Sequence, residues 1–165
     1  MIFPYPIEWP QYFTATIKDR LPILHADSLH FMVQNNRIEF NAFVVLNNRV
    51  HLIWQPLPGH SLFFIQRCFM KFTAQQIKFA LKDDHNLLME KCRVNKKDRQ
   101  FQIWKRNPQS VELSSQQVFL QKLEYIHYNP VKASLSLYPE SYPYSSASFY
   151  ETGVDHAKML THYTG

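Results

Sequence analysis

The chain has 165 residues, the size of one domain, and its composition is 45% hydrophobic and 15% aromatic with only three glycines. These values exclude a disordered or low-complexity chain. The net charge of +5 favours an anionic partner such as nucleic acid. The sequence has no apolar run of the ~18 residues that a membrane span needs, so we expect no membrane partner.

The N-terminal stretch and the spacing of the two cysteines both indicate a cytoplasmic protein. The N-terminal stretch MIFPYPIEWPQYF lacks the basic region of a secretory signal. Cys68 and Cys92 do not have C-x-x-C spacing and provide no disulfide framework.

Strand and helix patterns alternate along the chain. Strands are predicted at 12–17, 37–46, 49–55 and 100–105, and helices at 27–36, 61–84 and 114–128. Asn47 and Asn48 tolerate the positive φ of a tight hairpin between the second and third strands. The order β-α-β-β-α-β-α predicts an α+β fold: a ferredoxin-like split βαβ antiparallel sheet with helices on one face and an added C-terminal helix.

The last helix is predicted to open with a capping box, Ser114-x-x-Gln117, and to end at Pro130. The charged region 83–99 is predicted as a loop, and the region after Pro130 as an irregular tail. We expect a single domain over 1–150, with its core at about 12–135, and a C-terminal tail over 151–165.

The third strand carries a polar patch. Arg49 and His51 share one face with Gln55, because alternate residues of a strand point to the same side, while Val50 and Leu52 take the other face. One interpretation is an ordinary solvated surface. The other is a functional site on the sheet.

A second polar stripe lies on the last helix. Tyr125 and Asn129 are four residues apart, with Gln121 one turn earlier, and Tyr128 and Lys132 extend the stripe. This pattern is typical of amphipathic packing with a tyrosine at the edge of the core. It also fits a tyrosine nucleophile, which needs a nearby cation or base because a phenol ionises only near pH 10.

Basic residues form two further groups. The first group lies on one side of the long helix and is either an ordinary solvated face or a track for phosphates. Its members are Arg67, Lys71, Lys78 and Lys82. The second group interleaves basic and aromatic residues, as in surfaces that stack unpaired bases, and includes Trp104, Lys105 and Arg106.

Five segments in a fixed order resemble the landmarks of a known family. They are VVLNNRVHLIWQP, FMKFTAQQI, FQIWKRNPQSVELSS, LQKLEYIHYNPVKASL and YPYSSASFY. Together they resemble the single-tyrosine HUH transposases, particularly the REP-associated tyrosine transposase branch. The resemblance runs from about Tyr12 to Tyr150, nearly the whole chain.

This resemblance implies a DNA transposase of a bacterial mobile element. Such an enzyme binds single-stranded, hairpin-containing DNA and cleaves and rejoins it through a 5′-phosphotyrosine. In that pattern Tyr125 matches the nucleophile, and His51 and Asn129 match ligands of Mg²⁺ or Mn²⁺, which suits imidazole and amide oxygen. It further implies a cytoplasmic, nucleoid-associated protein that works as a monomer or homodimer.

Arg49 departs from the family pattern, because it occupies the position of a first metal-binding histidine. A guanidinium only donates hydrogen bonds and cannot bind a metal. Two outcomes remain open: metal binding and catalysis are impaired, or Arg49 itself holds a phosphate oxygen and has a catalytic role.

Two other classes of function also remain open. One is a catalytically inactive single-stranded nucleic-acid-binding protein on the same fold, with a regulatory or repurposed role. The other is a metal-free interaction domain. The remaining histidines do not have H-E-x-x-H or similar metal-site spacing.

Overall fold

The computed structural model describes residues 9–24, 37–82 and 87–164. The strands are β1 (Gln11–Thr16), β2 (Ile38–Val45), β3 (Arg49–Pro56), β4 (Arg93–Lys96), β5 (Arg99–Phe101) and β6 (Gln109–Glu112). The helices are α1 (Leu62–Lys82), α2 (Leu87–Lys91), α3 (Gln116–Lys132) and α4 (Ala147–Thr152), and short 3-10 turns lie at Lys18–Arg20 and Pro139–Ser141. The helix predicted over 27–36 lies outside the described residues.

The main sheet has the order β2-β3-β1-β6, and each neighbouring pair is antiparallel. This order and the helices packed on the sheet confirm the predicted α+β, ferredoxin-like architecture. None of the helices in the described ranges combines the length and the apolar character needed to cross a lipid bilayer.

Each face of the sheet has its own core. On one face, the rings of Trp54 and Phe13, with centroids 4.9 Å apart, pack against Phe69 of α1. On the opposite face, Ile53 packs with Ile126 of α3. Because side chains alternate along a strand, α1 and α3 lie on opposite sides of the sheet.

The fourth strand of the sheet was predicted in the wrong place. The segment predicted at 100–105 is divided: β5 ends at Phe101, and Ile103 and Trp104 are buried in the core. The strand beside β1 is β6, whose four residues are all exposed. Its backbone pairing with β1 defines it, and an exposed strand of this kind has no apolar alternation to reveal it.

The region 83–99 is not simply a loop. Within its described part, α2 is followed by β4, which pairs with β5 as a two-stranded hairpin. Glu90 and Arg93 form an exposed ion pair at the junction, with atoms 2.9 Å apart. Short elements of this size have too few residues to show a clear periodicity.

Helix α3 begins one residue later than the capping box predicts. The side chain of Ser115, not that of Ser114, accepts a hydrogen bond from the backbone N–H of Val118 at 3.2 Å. The helix also continues through Pro130 to Lys132. Backbone bonds made after the proline, including one from the N–H of Ala133 to the carbonyl of Asn129, maintain this last turn.

Replacing Ser115 by Ala is expected to lower the free energy of unfolding by about 1 kcal/mol, because one amide at the start of α3 loses its acceptor. The neighbouring substitution Ser114→Ala is the matched control and should change stability by less than ~0.5 kcal/mol. Urea unfolding followed by circular dichroism measures both variants. Equal losses in the two would contradict the assignment of Ser115 as the cap.

The segment after α3 is more ordered than an irregular tail, since it includes α4 and returns along the outer edge of β2. The hydroxyl of Tyr142 donates to the carbonyl of Val45 at 2.9 Å, and the N–H of Thr161 donates to the carbonyl of Phe40 at 2.7 Å. Covering the free edge of β2 protects it from pairing with another chain.

His127 links α3 to this returning segment. Its Nε2 lies 2.8 Å from Oγ of Ser146, and that Oγ accepts a hydrogen bond from the N–H of Phe43 in β2. Burial lowers the pKa of His127 to about 4. The folded protein therefore holds a neutral imidazole at a junction of three elements.

We expect stability to fall as the pH drops from about 6.5 towards 4. Below pH 6.5 the unfolded state binds a proton at His127 that the folded state excludes, so protonation favours unfolding and costs about 2 kcal/mol by pH 4.5. His51, whose pKa burial also lowers to about 4, adds to the same trend. Urea unfolding at pH 7 and 4.5 should give a smaller difference for His127→Gln than for wild type.

Candidate functional site

The structure brings Tyr125 and His51 together on the α3 side of the sheet. Their ring centroids are 5.7 Å apart, and the rings are nearly perpendicular. His51 is 4% exposed, which rules out a solvated surface position, whereas Tyr125 is 38% exposed. A buried imidazole thus lies against a tyrosine that a ligand can reach.

Tyr12 of β1 completes this group, although the sequence patterns did not identify it. Its hydroxyl lies 2.9 Å from Nδ1 of His51, and its ring is 6.3 Å from that of Tyr125. Burial raises the pKa of Tyr12 to about 12, so its phenol stays protonated at neutral pH. Thr14 pairs with His51 across the sheet, and Tyr12, two residues before Thr14, points to the same face as His51. A single sequence does not reveal that register.

The environment of His51 is positively charged. Burial, followed by the charges of Arg49 and Lys122, lowers the pKa of His51 to about 4, so the imidazole is neutral at pH 7. Nε2 of His51 and Nε of Arg49 are both buried and have no hydrogen-bond partner in the described part of the chain. Unpaired buried polar atoms are costly, and Arg49 and His51 lie two residues apart on one face of β3, so both nitrogens are candidates to contact a ligand.

Two lysines of α3 surround Tyr125. Nζ of Lys122 is 4.7 Å from the ring centroid of Tyr12 and 5.5 Å from that of Tyr125, and Nζ of Lys132 is also 5.5 Å from the Tyr125 ring. Lys132 was predicted from the sequence to bind DNA, whereas Lys122 was not. The spacing of three residues between Lys122 and Tyr125 was the available signal, because residues three apart share a helix face.

Other predicted residues lie at the margin of this site. Asn129 is buried one helical turn after Tyr125. Lys105 and Arg106 are exposed, and the N–H of Lys105 donates to the carbonyl of Thr16, which pairs with Arg49. The backbones of Lys105 and Arg49 are therefore separated by two strand spacings, or about 10 Å.

The remaining predicted DNA-binding residues lie elsewhere. The stripe on α1 is on the opposite side of the sheet from Tyr125, and its members are Arg67, Lys71, Lys78 and Lys82. Trp104 is 7% exposed, and its indole N–H donates to Oγ1 of Thr73 at 3.0 Å. Its ring belongs to the core and does not offer a face to a nucleobase.

The side chains at this site do not fit a divalent metal. In the described ranges, no three His, Cys, Asp or Glu side chains form a group that could hold a metal ion. Among the residues that the structure describes, His51 is the imidazole that packs against Tyr125, and the nearby charges of Arg49 and Lys122 oppose a cation. A guanidinium in place of a ligand both removes a donor atom and adds repulsion.

The fold and site define an antiparallel, ferredoxin-like domain in which a helix presents a tyrosine to a polar strand. One solved structure with this architecture is a REP-associated tyrosine transposase bound to a REP hairpin, with a TM-score of 0.63 and 20% identity over 94% of this chain and 87% of the other. A protein from Deinococcus radiodurans R1 that has been assigned as a transposase gives a TM-score of 0.51 and 17% identity, over 76% of this chain and 94% of the other.

Comparisons at the level of sequence add nothing to this likeness, since no family model and no curated protein matches the chain. The chain therefore has the fold of the tyrosine transposases. This finding agrees with the order of motifs that resembles the same family.

Proposed function

We propose that this protein binds single-stranded DNA beside a hairpin and cleaves and rejoins it through Tyr125. The observation that carries the proposal is the position of Tyr125, exposed on α3 and 5.7 Å from the buried His51 of β3. The likeness of the fold to a transposase bound to a hairpin supports DNA as the partner. The net charge of +5 is suited to a phosphate backbone.

In the proposed step the hydroxyl oxygen of Tyr125 attacks the scissile phosphorus and loses its proton to solvent or a neighbouring base. The bond from phosphorus to the 3′ oxygen breaks, and that oxygen leaves as a 3′-hydroxyl after taking up a proton. Lys122 and Lys132 lie beside the Tyr125 ring and stabilise the negative charge that develops there. Rejoining reverses these steps.

A second candidate function is hairpin binding without cleavage. The substitution of Arg49 for a metal-binding histidine favours it, because loss of one electrostatic group at a reacting phosphate commonly costs ~10² or more in rate. The remaining positive charges still attract DNA. The two candidates share one surface and differ only in whether a covalent bond forms.

One experiment separates them. A labelled single-stranded oligonucleotide with a hairpin is incubated with the protein, with and without Mg²⁺ or Mn²⁺, and resolved on native and denaturing gels. A band that survives denaturation supports cleavage by transfer to the protein, while a complex seen only on the native gel supports binding alone. Equal affinity for a composition-matched strand without a hairpin would reject hairpin recognition.

A further inference from the structure

We infer that the polar face at Arg49 and His51 is an anion site that holds a phosphate group directly, in place of a divalent metal. The ligand is a phosphate oxygen, which accepts hydrogen bonds from Nε of Arg49 and Nε2 of His51. The identity of that phosphate as one of DNA rests on the proposed function. The site itself can be tested with inorganic phosphate alone.

The first argument is the unmatched donor on Arg49. Its guanidinium keeps its charge in proteins and only donates, and its buried Nε–H has no partner among the described residues. Leaving a charged donor buried and unpaired destabilises the folded state. A phosphate oxygen meets that donor, because guanidinium and phosphate match in charge and geometry.

The second argument is the tautomer of His51. The hydroxyl of Tyr12 lies 2.9 Å from Nδ1 of His51, and burial raises the pKa of that phenol to about 12, so the phenol keeps its proton at neutral pH. In the inferred arrangement the phenol donates this proton and Nδ1 of His51 accepts. A neutral imidazole that accepts at Nδ1 carries its proton on Nε2. Nε2 is then a second unmatched donor, whereas a metal requires a free lone pair there.

The third argument is the sign of the local charge. Arg49 and Lys122 are the charges that act on His51, and both are positive. They disfavour a bound divalent cation and favour an anion at the same place. Lys132 adds a further positive charge beside Tyr125, within 5.5 Å of its ring.

Tyr125 packs against His51, one of the two donors, and is itself partly exposed. Both nitrogens are buried, and Tyr125 is the exposed residue that packs its ring against His51. Rotation about the side-chain bonds of an exposed residue is fast. We therefore expect the ring to turn aside when a phosphate enters.

The test uses the full-length protein labelled with ¹⁵N and needs no DNA. Long-range proton–nitrogen spectra at pH 7 report which ring nitrogen of His51 carries the proton, and His51→Gln assigns the signals. We expect the proton on Nε2, and we expect inorganic phosphate to shift the signals of Nε2 and of Arg49 Nε. Mn²⁺ alone should not selectively broaden the NMR signals of His51.

Four variants sharpen the result. Arg49→Gln should weaken the phosphate response at least tenfold, and Arg67→Gln, which removes the same charge on the α1 side, should leave it unchanged. Arg49→His restores a second imidazole and should make His51 sensitive to Mn²⁺. Tyr12→Phe removes the donor to Nδ1 and should allow the Nδ1–H tautomer to appear.

A proton on Nδ1 of His51 in the wild type, or selective broadening by Mn²⁺ without a response to phosphate, would overturn the anion site. The wild-type spectra decide the matter even if a variant fails to fold. A failed search for a hairpin complex would remove the proposed function and leave the anion site intact. If a hairpin adduct forms but inorganic phosphate does not shift the signals of His51 and Arg49, the anion site is rejected and the proposed function stands.

Discussion

Replacing Tyr125 by Phe is expected to abolish the proposed covalent protein–DNA adduct and to leave hairpin affinity within about twofold of wild type. The change removes one oxygen and keeps the ring that packs against His51 and Tyr12. Without the nucleophile the reaction has no covalent route, so adduct formation should fall by at least ~10³. Denaturing gels measure the adduct, and fluorescence anisotropy measures affinity.

Tyr128→Phe is the matched control for this variant. Tyr128 lies on the same helix, three residues further along, and it is 47% exposed. Because the structure places Tyr125 and not Tyr128 against His51, the control should form adduct at the wild-type rate. An undiminished adduct in Tyr125→Phe would instead assign the chemistry to another tyrosine.

The double variant Lys122→Gln/Lys132→Gln is expected to lower hairpin affinity about tenfold or more at physiological salt, since each lysine that contacts a phosphate releases counterions. The slope of log affinity against log salt should become shallower by about 1.5 for two lost contacts with a single strand. Both lysines lie beside the ring of Tyr125. Anisotropy titrations at several salt concentrations measure the slope.

The control for this prediction is Lys71→Gln/Lys78→Gln on α1. It removes the same charge from the opposite side of the sheet. We expect little change in affinity or slope, because a strand bound at Tyr125 does not pass over α1. A larger loss in the α1 pair would show that DNA follows the helical stripe that the sequence predicts.

Local patterns in the sequence were sufficient for much of the fold. The alternation of Val50, Leu52 and Trp54 with His51 predicted which residues of β3 share a face, and the two cores confirm that division. The hairpin at Asn47 and Asn48 and the long helix α1 were also predicted. These features depend on neighbours within a few residues, which a single sequence displays directly.

Features that depend on distant partners were missed. β6 is held by backbone pairing with β1, and nothing in QSVE marks it as a strand. Trp104 was interpreted as an exposed stacking residue, but it is buried, with its indole bonded to Thr73. Its surroundings depend on how α1 packs against the sheet, and the composition around it does not show this.

The candidate site also combines features that the sequence predicted with features that only the structure shows. The sequence by itself determined the chemistry available to the site: a tyrosine on the last predicted helix, a histidine on the third strand, and an arginine where the family resemblance implies a metal ligand. Only the tertiary structure decided that Tyr12 holds Nδ1 of His51, that Lys122 faces the same group, and that the basic stripe of α1 lies on the far side. Side-chain type is written in the chain, whereas strand register and the choice of sheet face arise from non-local pairing and burial.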